Sequence, residues 1–191
     1  MVHSADQRRR AILEAALNAF SQYGFARTKM ADISAASGVA RTALYKTYSN
    51  KQHIFRDLAA QVHRSAIETA RPLLDADSAF PQRLEDALIA RDIHLLAVGH
   101  TGPHADEIAE LYLSLAHDLA EEHNAAWVQE VSAAVTRAVK AGHYRVPPAY
   151  KTPHDLAYLL RLALEGVKKE VKTPQDFEHL ARQLIRGMLG F

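Results

Sequence analysis

The stretch from Phe25 to Phe55 constrains this chain more than any other part of it. It reads as two short helices joined at Gly38, with a third helix following at once. Met30 and Ile33 give the first helix an inward edge, and Val39 and Leu44 resume an apolar edge on the second. Between those inward residues lie Arg41, Thr42, Tyr45, Lys46 and Thr47, all hydrogen-bond donors with no acid among them. A short helix with one buried edge and one basic, hydroxyl-rich edge suits the major groove of double-stranded DNA. Thr28 and Lys29 sit at a helix start, where backbone N–H groups and the positive dipole end favour a phosphate. Arg41, Thr42, Lys46 and Thr47 fall on the early and outer part of the second helix and are the candidates for base edges.

The spacing resembles the helix-turn-helix of the TetR family of bacterial transcriptional regulators. The resemblance covers roughly residues 8 to 56. It begins with Arg8-Arg-Arg-Ala-Ile-Leu-Glu-Ala-Ala, passes Phe20, Gly24, Thr28, Ile33, Gly38 and Val39, and closes on Leu44-Tyr45, Tyr48, Asn50-Lys51 and Phe55. Three places depart from the usual pattern: Ala40 stands where Ser often caps the recognition helix, Ser34 where Ala is usual, and Thr47-Tyr48 where His-Phe is frequent. A missing cap oxygen costs about 1 kcal/mol of local stability. The resemblance implies an all-α protein with a three-helix DNA-binding head, assigned to residues 1–50. Residues 51–191 would then form a helical effector-binding and dimerisation domain. It places phosphate contacts on Thr28, Tyr45 and Lys51. It further implies a homodimer on a palindromic operator, released when a small organic molecule enters a cavity in the larger domain.

Charge agrees with a separate DNA-binding head. Residues 1 to 51 carry eight Lys or Arg against Asp6, Glu14 and Asp32, a balance of +5 that leaves −4 for the rest of a chain whose net charge is +1. A basic head on a mildly acidic body is what a polyanion-binding module would show. The chain has 191 residues, 48% of them hydrophobic, enough for a sizeable core. It has no Cys, which rules out disulfides and thiolate metal sites and is compatible with a reducing cytoplasm. No apolar run approaches about 18 residues, and Asp6 with three arginines is unlike a cleaved signal. A soluble, cytoplasmic protein with no membrane partner is expected.

Nearly everything reads as helix. Ile12, Leu13, Ala16, Leu17 and Phe20 recur by threes and fours over residues 5 to 23, with Ser4 and Gln7 able to form a capping box and Gly24 ending the helix. The pattern predicts a helix over 29–37 capped by Thr28, and a recognition helix over 40–47. A fourth helix, opened by a Ser49–Gln52 capping box, would run to about 70, where Arg71-Pro72 stops it. Further helices are predicted over 81–98, 104–122, 124–141, 153–171 and 174–189, with no strand-like alternation.

In the larger domain, Tyr112, His117, Trp127 and Tyr158 add polar tips to abundant apolar surface, and His94 sits within an apolar segment. These five are the effector-binding candidates, core packing being the alternative for each. Lys and Arg are scarce between 92 and 136, which points to an effector of mostly apolar character. Leu156, Leu160, Leu164 and Val167, then Leu180, Leu184 and Met188, give the last two helices generous apolar faces. The family resemblance makes these the dimer interface; the same faces could equally close a monomer core. His117 with Glu121 and His123, and His100 with His104 and Asp106, lack the His-x-x-x-His spacing of a strong zinc site, so no metal and no cofactor is expected. No phosphate loop, nucleophile elbow or Cys nucleophile is present, which speaks against an enzyme. The competing readings are a metal-responsive sensor, or a helical-domain enzyme or carrier with a vestigial helix-turn-helix.

Overall fold

Most helices in the computed structural model, which describes residues 4–99 and 103–191, start on a chemical signal in their own sequence. Helix α1 (Ala5–Tyr23) opens on the expected capping box: the Ser4 hydroxyl accepts the Gln7 N–H at 3.2 Å and the Gln7 side chain accepts the Ser4 N–H at 2.9 Å. It ends at Gly24, whose φ of 81° suits glycine alone. A Cβ there would also lie 2.4 Å from a carboxylate oxygen of Glu107. Helices α2 (Met30–Ser37), α3 (Arg41–Thr47) and α4 (Lys51–Ala70) follow. After a 3-10 turn (Arg71–Asp75) come α5 (Phe80–Gly99), α6 (Ala105–Leu115), α7 (His117–Lys140), α8 (Pro153–Glu170) and α9 (Pro174–Leu189). No strand occurs among the described residues. Helices α8 and α9 begin alike: the Thr152 and Thr173 hydroxyls accept the N–H groups of Asp155 and Asp176, and proline holds the first helical position of each.

Two starts and one break differ from the sequence reading. Lys29, not Thr28, caps α2, and the Asp32 carboxylate accepts the Lys29 N–H at 2.8 Å. The first turn of α4 is capped by Asn50, whose Oδ1 accepts the His53 N–H at 2.8 Å, so the Ser49–Gln52 box is not the device used. The expected break between helices near residue 123 lies instead at Ala116, with φ −136° and ψ 8°. Ala116 is fully buried, and Arg56 of α4 donates to the carbonyl of Leu115. The same guanidinium pairs with both Asp118 oxygens, at 2.8 and 2.7 Å. No local breaker residue stands there; the Arg56 hydrogen bond to the Leu115 carbonyl meets the chain where α6 ends.

The chain packs as two units: the described residues within Met1–Gln61 and Gly99–Ala120, and those within Val62–Val98 and Glu121–Phe191. The first is built on Ile12, Leu13, Phe20, Ile33, Leu44 and Ile54. Phe25 packs between Phe20 and Phe55, with ring centroids 5.1 and 5.6 Å away. In the second unit Leu84, Leu88, Trp127, Val135, Phe177 and Ile185 form the centre. A buried carboxylate, Glu85, joins α5 to α9 through Arg182 and Arg186, both of its oxygens accepting from guanidinium nitrogens.

The proposed dimer residues divide. Leu156, Leu160 and Leu164 are at most 1% exposed and belong to the core of their own unit, so they have no surface to offer a partner. Val167, Leu184 and Met188 pack half-buried against that core. Leu180 is 42% exposed, and the outward apolar residues of α8 are Tyr158, Leu159 and Leu162. At 3.6 residues per turn the apolar face of α8 is two stripes, of which the i, i+4, i+8 series faces inward.

Arg56→Met should destabilise the protein by about 1 kcal/mol, since the Leu115 carbonyl loses its partner while the exposed ion pair adds little. A lower urea midpoint with unchanged m would show it. The pair with Arg56 holds the Asp118 carboxyl down to about 2. That contribution is complete above the free carboxyl value of about 3.9 and fades as pH falls toward 2.

Candidate nucleic-acid interface

One carboxylate frames the head. Tyr48, at the end of α3, is buried, and its hydroxyl donates to Asp57 of α4. Arg9 of α1 donates to the same group, its Nε at 2.7 Å from Oδ2 and a terminal nitrogen on Oδ1. Burial, with the hydrogen bond to Asp57, pushes the Tyr48 hydroxyl well above its usual range. The bond to Asp57 likewise raises Arg9. The turn between α2 and α3 is fixed locally. Gly38 adopts the left-handed conformation at φ 66°, and the Ser34 hydroxyl donates to the Val39 carbonyl at 2.7 Å. Serine at 34, a departure from the common pattern, thus bridges the turn. Ala40 starts α3 with no side-chain cap; its carbonyl accepts the N–H groups of Ala43 and Leu44, each at 2.9 Å.

With Ile33 and Leu44 fully buried, the opposite edge of α3 faces outward. Arg41, Thr42, Tyr45, Lys46 and Thr47 are all exposed there, as is Lys29 before α2. Arg41 lies over the Tyr45 ring, 5.7 Å from its centroid, one helical turn away. Such a contact is worth about 0.5–1 kcal/mol at an exposed site and holds both side chains on one face. Thr47 donates to the Ala43 carbonyl at 3.3 Å, which occupies its proton within the helix.

Two sequence candidates have another task. Thr28 is 2% exposed, and its hydroxyl donates to the carbonyls of Gly24 at 2.7 Å and Ala19 at 3.3 Å. Lys51 sends its ammonium to three carbonyls, Phe25 at 2.6 Å, Ala26 at 3.0 Å and Thr28 at 3.1 Å, over the Phe25 ring. Neither side chain has a donor left for a phosphate; both hold the loop between α1 and α2. Glu107 of α6 grips that loop as well, accepting the Ala26 N–H at 2.8 Å. Arg9, Asp57 and Glu107 are outside the candidate set, because partners 48 and 81 residues apart leave no local signal; Tyr48 reaches Asp57 nine residues on, beyond the reach of a helical repeat.

The effector candidates are not gathered. Trp127 lies in the core of the second unit, His94 is half-buried on α5, and Tyr158 is exposed on α8. Tyr112 packs against the core of the first unit, where His117 is exposed. An open depression of about 390 Å³, lined by Val171, Asp176, His179 and Leu180 among others, includes none of the five. Among the described residues no three His, Cys, Asp or Glu side chains are grouped to hold a metal ion; His100 lies outside those residues. Nor is any helix among them long and apolar enough to cross a membrane.

Comparison with known proteins points to the same segment. Residues 12–58 match the family described as bacterial regulatory proteins, tetR family. The HTH-type transcriptional regulator TtgR of Pseudomonas putida is 36% identical over 77 residues, which is 40% of this chain and 37% of TtgR. The match therefore spans well under half of that relative. Among solved structures, a transcriptional regulator from Cytophaga hutchinsonii superposes with a TM-score of 0.71 at 16% identity, covering 95% of this chain and 96% of that one. SmeT, the repressor of the Stenotrophomonas maltophilia multidrug efflux pump SmeDEF, gives 0.65 at 20% identity, covering 94% and 88%. SmeT is also known in complex with triclosan. At these identities the structural likeness is one of fold.

Lys51→Met should lower stability by about 2 kcal/mol, since three carbonyls lose a charged donor. On a DNA duplex the slope of log K against log salt should stay unchanged. A slope smaller by about one would make Lys51 a phosphate contact instead.

Proposed function

We propose that this chain, whose residues 12–58 match the tetR family of bacterial regulatory proteins, is a homodimeric cytoplasmic repressor of transcription. It occupies a palindromic operator and leaves it when a small organic molecule binds. The observation that carries this reading is the outward edge of α3. Arg41, Thr42, Tyr45 and Lys46 stand exposed on a helix whose other edge is locked into the head's core. Arg41, Thr42, Lys46 and Thr47 read base edges, while Tyr45 and Lys29 hold phosphates. The division of labour is DNA contact by residues 1–50, and effector binding and dimerisation by residues 51–191.

Dimerisation uses the outward stripe of α8 and α9. Leu159, Leu162 and Leu180 are exposed large hydrophobics, with Leu184 and Met188 at the edge of the same face. Two heads brought together in this way meet half-sites about 34 Å apart, one helical turn, or a multiple of it. The triclosan complex of SmeT supports the effector side, since that repressor shares the fold. A tenfold loss of operator affinity on effector binding needs only about 1.4 kcal/mol of coupling. The activity proposed is binding, not catalysis. Turnover or tight metal binding without affinity for DNA would favour an enzyme or metal carrier with a vestigial helix-turn-helix.

Genomic fragments selected by the purified protein should share a palindrome, and their affinity should fall steeply with salt. Arg41→Ala should cost roughly 1 to 3 kcal/mol at one base position. Equal weakening on every duplex would make Arg41 a phosphate contact. Leu162→Glu with Leu180→Glu should yield a folded monomer by analytical ultracentrifugation and remove specific binding. A wild type that sediments as a monomer at micromolar concentration would end the dimer reading.

A further inference from the structure

Tyr48 stands where phenylalanine is frequent in the family pattern, so its hydroxyl is an addition to a position that a plain ring can fill. The ring is 2% exposed, in the same core as Leu44 and Ile54. Its own N–H donates to the Leu44 carbonyl at 2.9 Å, so the residue moves with α3. The side chain is clamped to α4 at two points. The His53 ring lies edge-on to it, with centroids 5.1 Å apart and planes at 77°, and the hydroxyl donates to Asp57. His53 and Asp57 are four residues apart, hence neighbours on one face of α4 about one turn apart. Two contacts one turn apart set a direction, where a single contact would set only a distance. Arg9 of α1 holds the Asp57 carboxylate from the other side of the pair.

The turn at Gly38 fixes where α3 starts, and the clamp fixes where its other end points. Lys46 is six residues beyond Ala40, about 9 Å along the axis at roughly 1.5 Å per residue. A tilt of about 10° at the turn therefore moves it by about 1.6 Å, whereas N–H···O bonds span a range of only about 0.5 Å. A hydrogen bond to a base edge is lost by such a shift, while contacts to phosphates carry no sequence information to lose. Neither member of the clamp is placed to contact DNA itself. The Tyr48 ring is buried, and the Asp57 carboxylate would repel a phosphate. Whatever they do to base readout is done through α3.

We propose that Tyr48 is a positioning residue for base readout: its hydroxyl, held by Asp57, fixes the direction of α3 and so determines operator selectivity without touching DNA. The inference rests on the reading that the outward edge of α3 meets the bases, and adds the residue that aims it.

Fluorescence anisotropy of the full-length protein on two duplexes tests this. One carries the palindrome that the wild type selects from genomic fragments, the other the same bases in shuffled order. Tyr48→Phe keeps the buried ring and removes only the hydroxyl. It should weaken binding to the selected duplex about tenfold and leave the shuffled one within about twofold, with the same salt slope, because no phosphate contact is lost. Asp57→Asn keeps an oxygen to accept the hydroxyl but removes the charge that pairs with Arg9. It should lower the urea midpoint and still keep the selectivity, which a merely structural role would not separate. Asp57→Ala removes the acceptor and should lose selectivity as Tyr48→Phe does; if it does not fold by circular dichroism, the other two variants decide. An unchanged ratio of affinities in Tyr48→Phe, or equal weakening on both duplexes, would overturn the role and keep the regulator. Selectivity lost in Asp57→Asn but kept in Tyr48→Phe would pass the role to the Arg9 pair and likewise overturn the proposal. A wild type that selects no sequence ends the regulator reading itself, and the role of Tyr48 with it.

Discussion

Asp57 receives hydrogen bonds from two other parts of the head, and the position of α3 depends on it. That helix has seven residues and no side-chain cap at its start, too short to persist by its own hydrogen bonds. Its outward edge is useful only if its direction is fixed. The Tyr48 hydroxyl on the Asp57 carboxylate ties its C-terminal end to α4, and Arg9 carries the tie on to α1. Because the carboxylate is mostly buried, with 16% of its side chain exposed, removing either donor leaves a charge poorly compensated. The Ser34–Val39 bond and the left-handed Gly38 then set where α3 begins.

Much of this was legible in the sequence wherever cause and effect lie within one turn of helix. Ser4 with Gln7, Gly24, Gly38 and the alternation of inward and outward residues across 25–55 appear in the structure as the spacing predicts. Residues whose partners are distant in the chain were read wrongly. Lys51 stands at the start of α4, but carbonyls of the loop between α1 and α2 take its donors; Thr28 is the local exception, its hydroxyl turned back onto the Gly24 carbonyl. Apolar periodicity fixed the width of the face on α8 without telling which part of it meets its own core, so Leu156, Leu160 and Leu164 were placed on the wrong side. Arg91 of α5 and Lys168 of α8 meet only at Asp92, an association that no local pattern announces. A fold brings such residues together from separate helices, and no window along the chain samples them jointly.

Helix α6 illustrates how far packing can depart from chain order. It follows α5 in sequence, yet its inward residues Ile108, Leu111, Tyr112 and Leu115 lie against the same core as α1 to α4. Glu107 at one end holds Ala26, and Arg56 at the other holds Leu115. The loop before α2 is thereby gripped from two directions, by Lys51 and by Glu107. A backbone segment with that many fixed carbonyl and N–H groups resists rearrangement.

The chain's single tryptophan gives the protein a built-in optical reporter. Trp127 is almost wholly buried on α7, beneath the guanidinium of Arg91 and among the side chains of the second unit's core. Indole emission selectively excited at the red edge of its absorption therefore comes from that interior alone, while the tyrosines of the head stay dark. Its wavelength follows the local field, and a charge fixed above the ring makes that field strong. Any event that alters the company of Arg91 is consequently written into the colour of the intrinsic fluorescence, with no label attached.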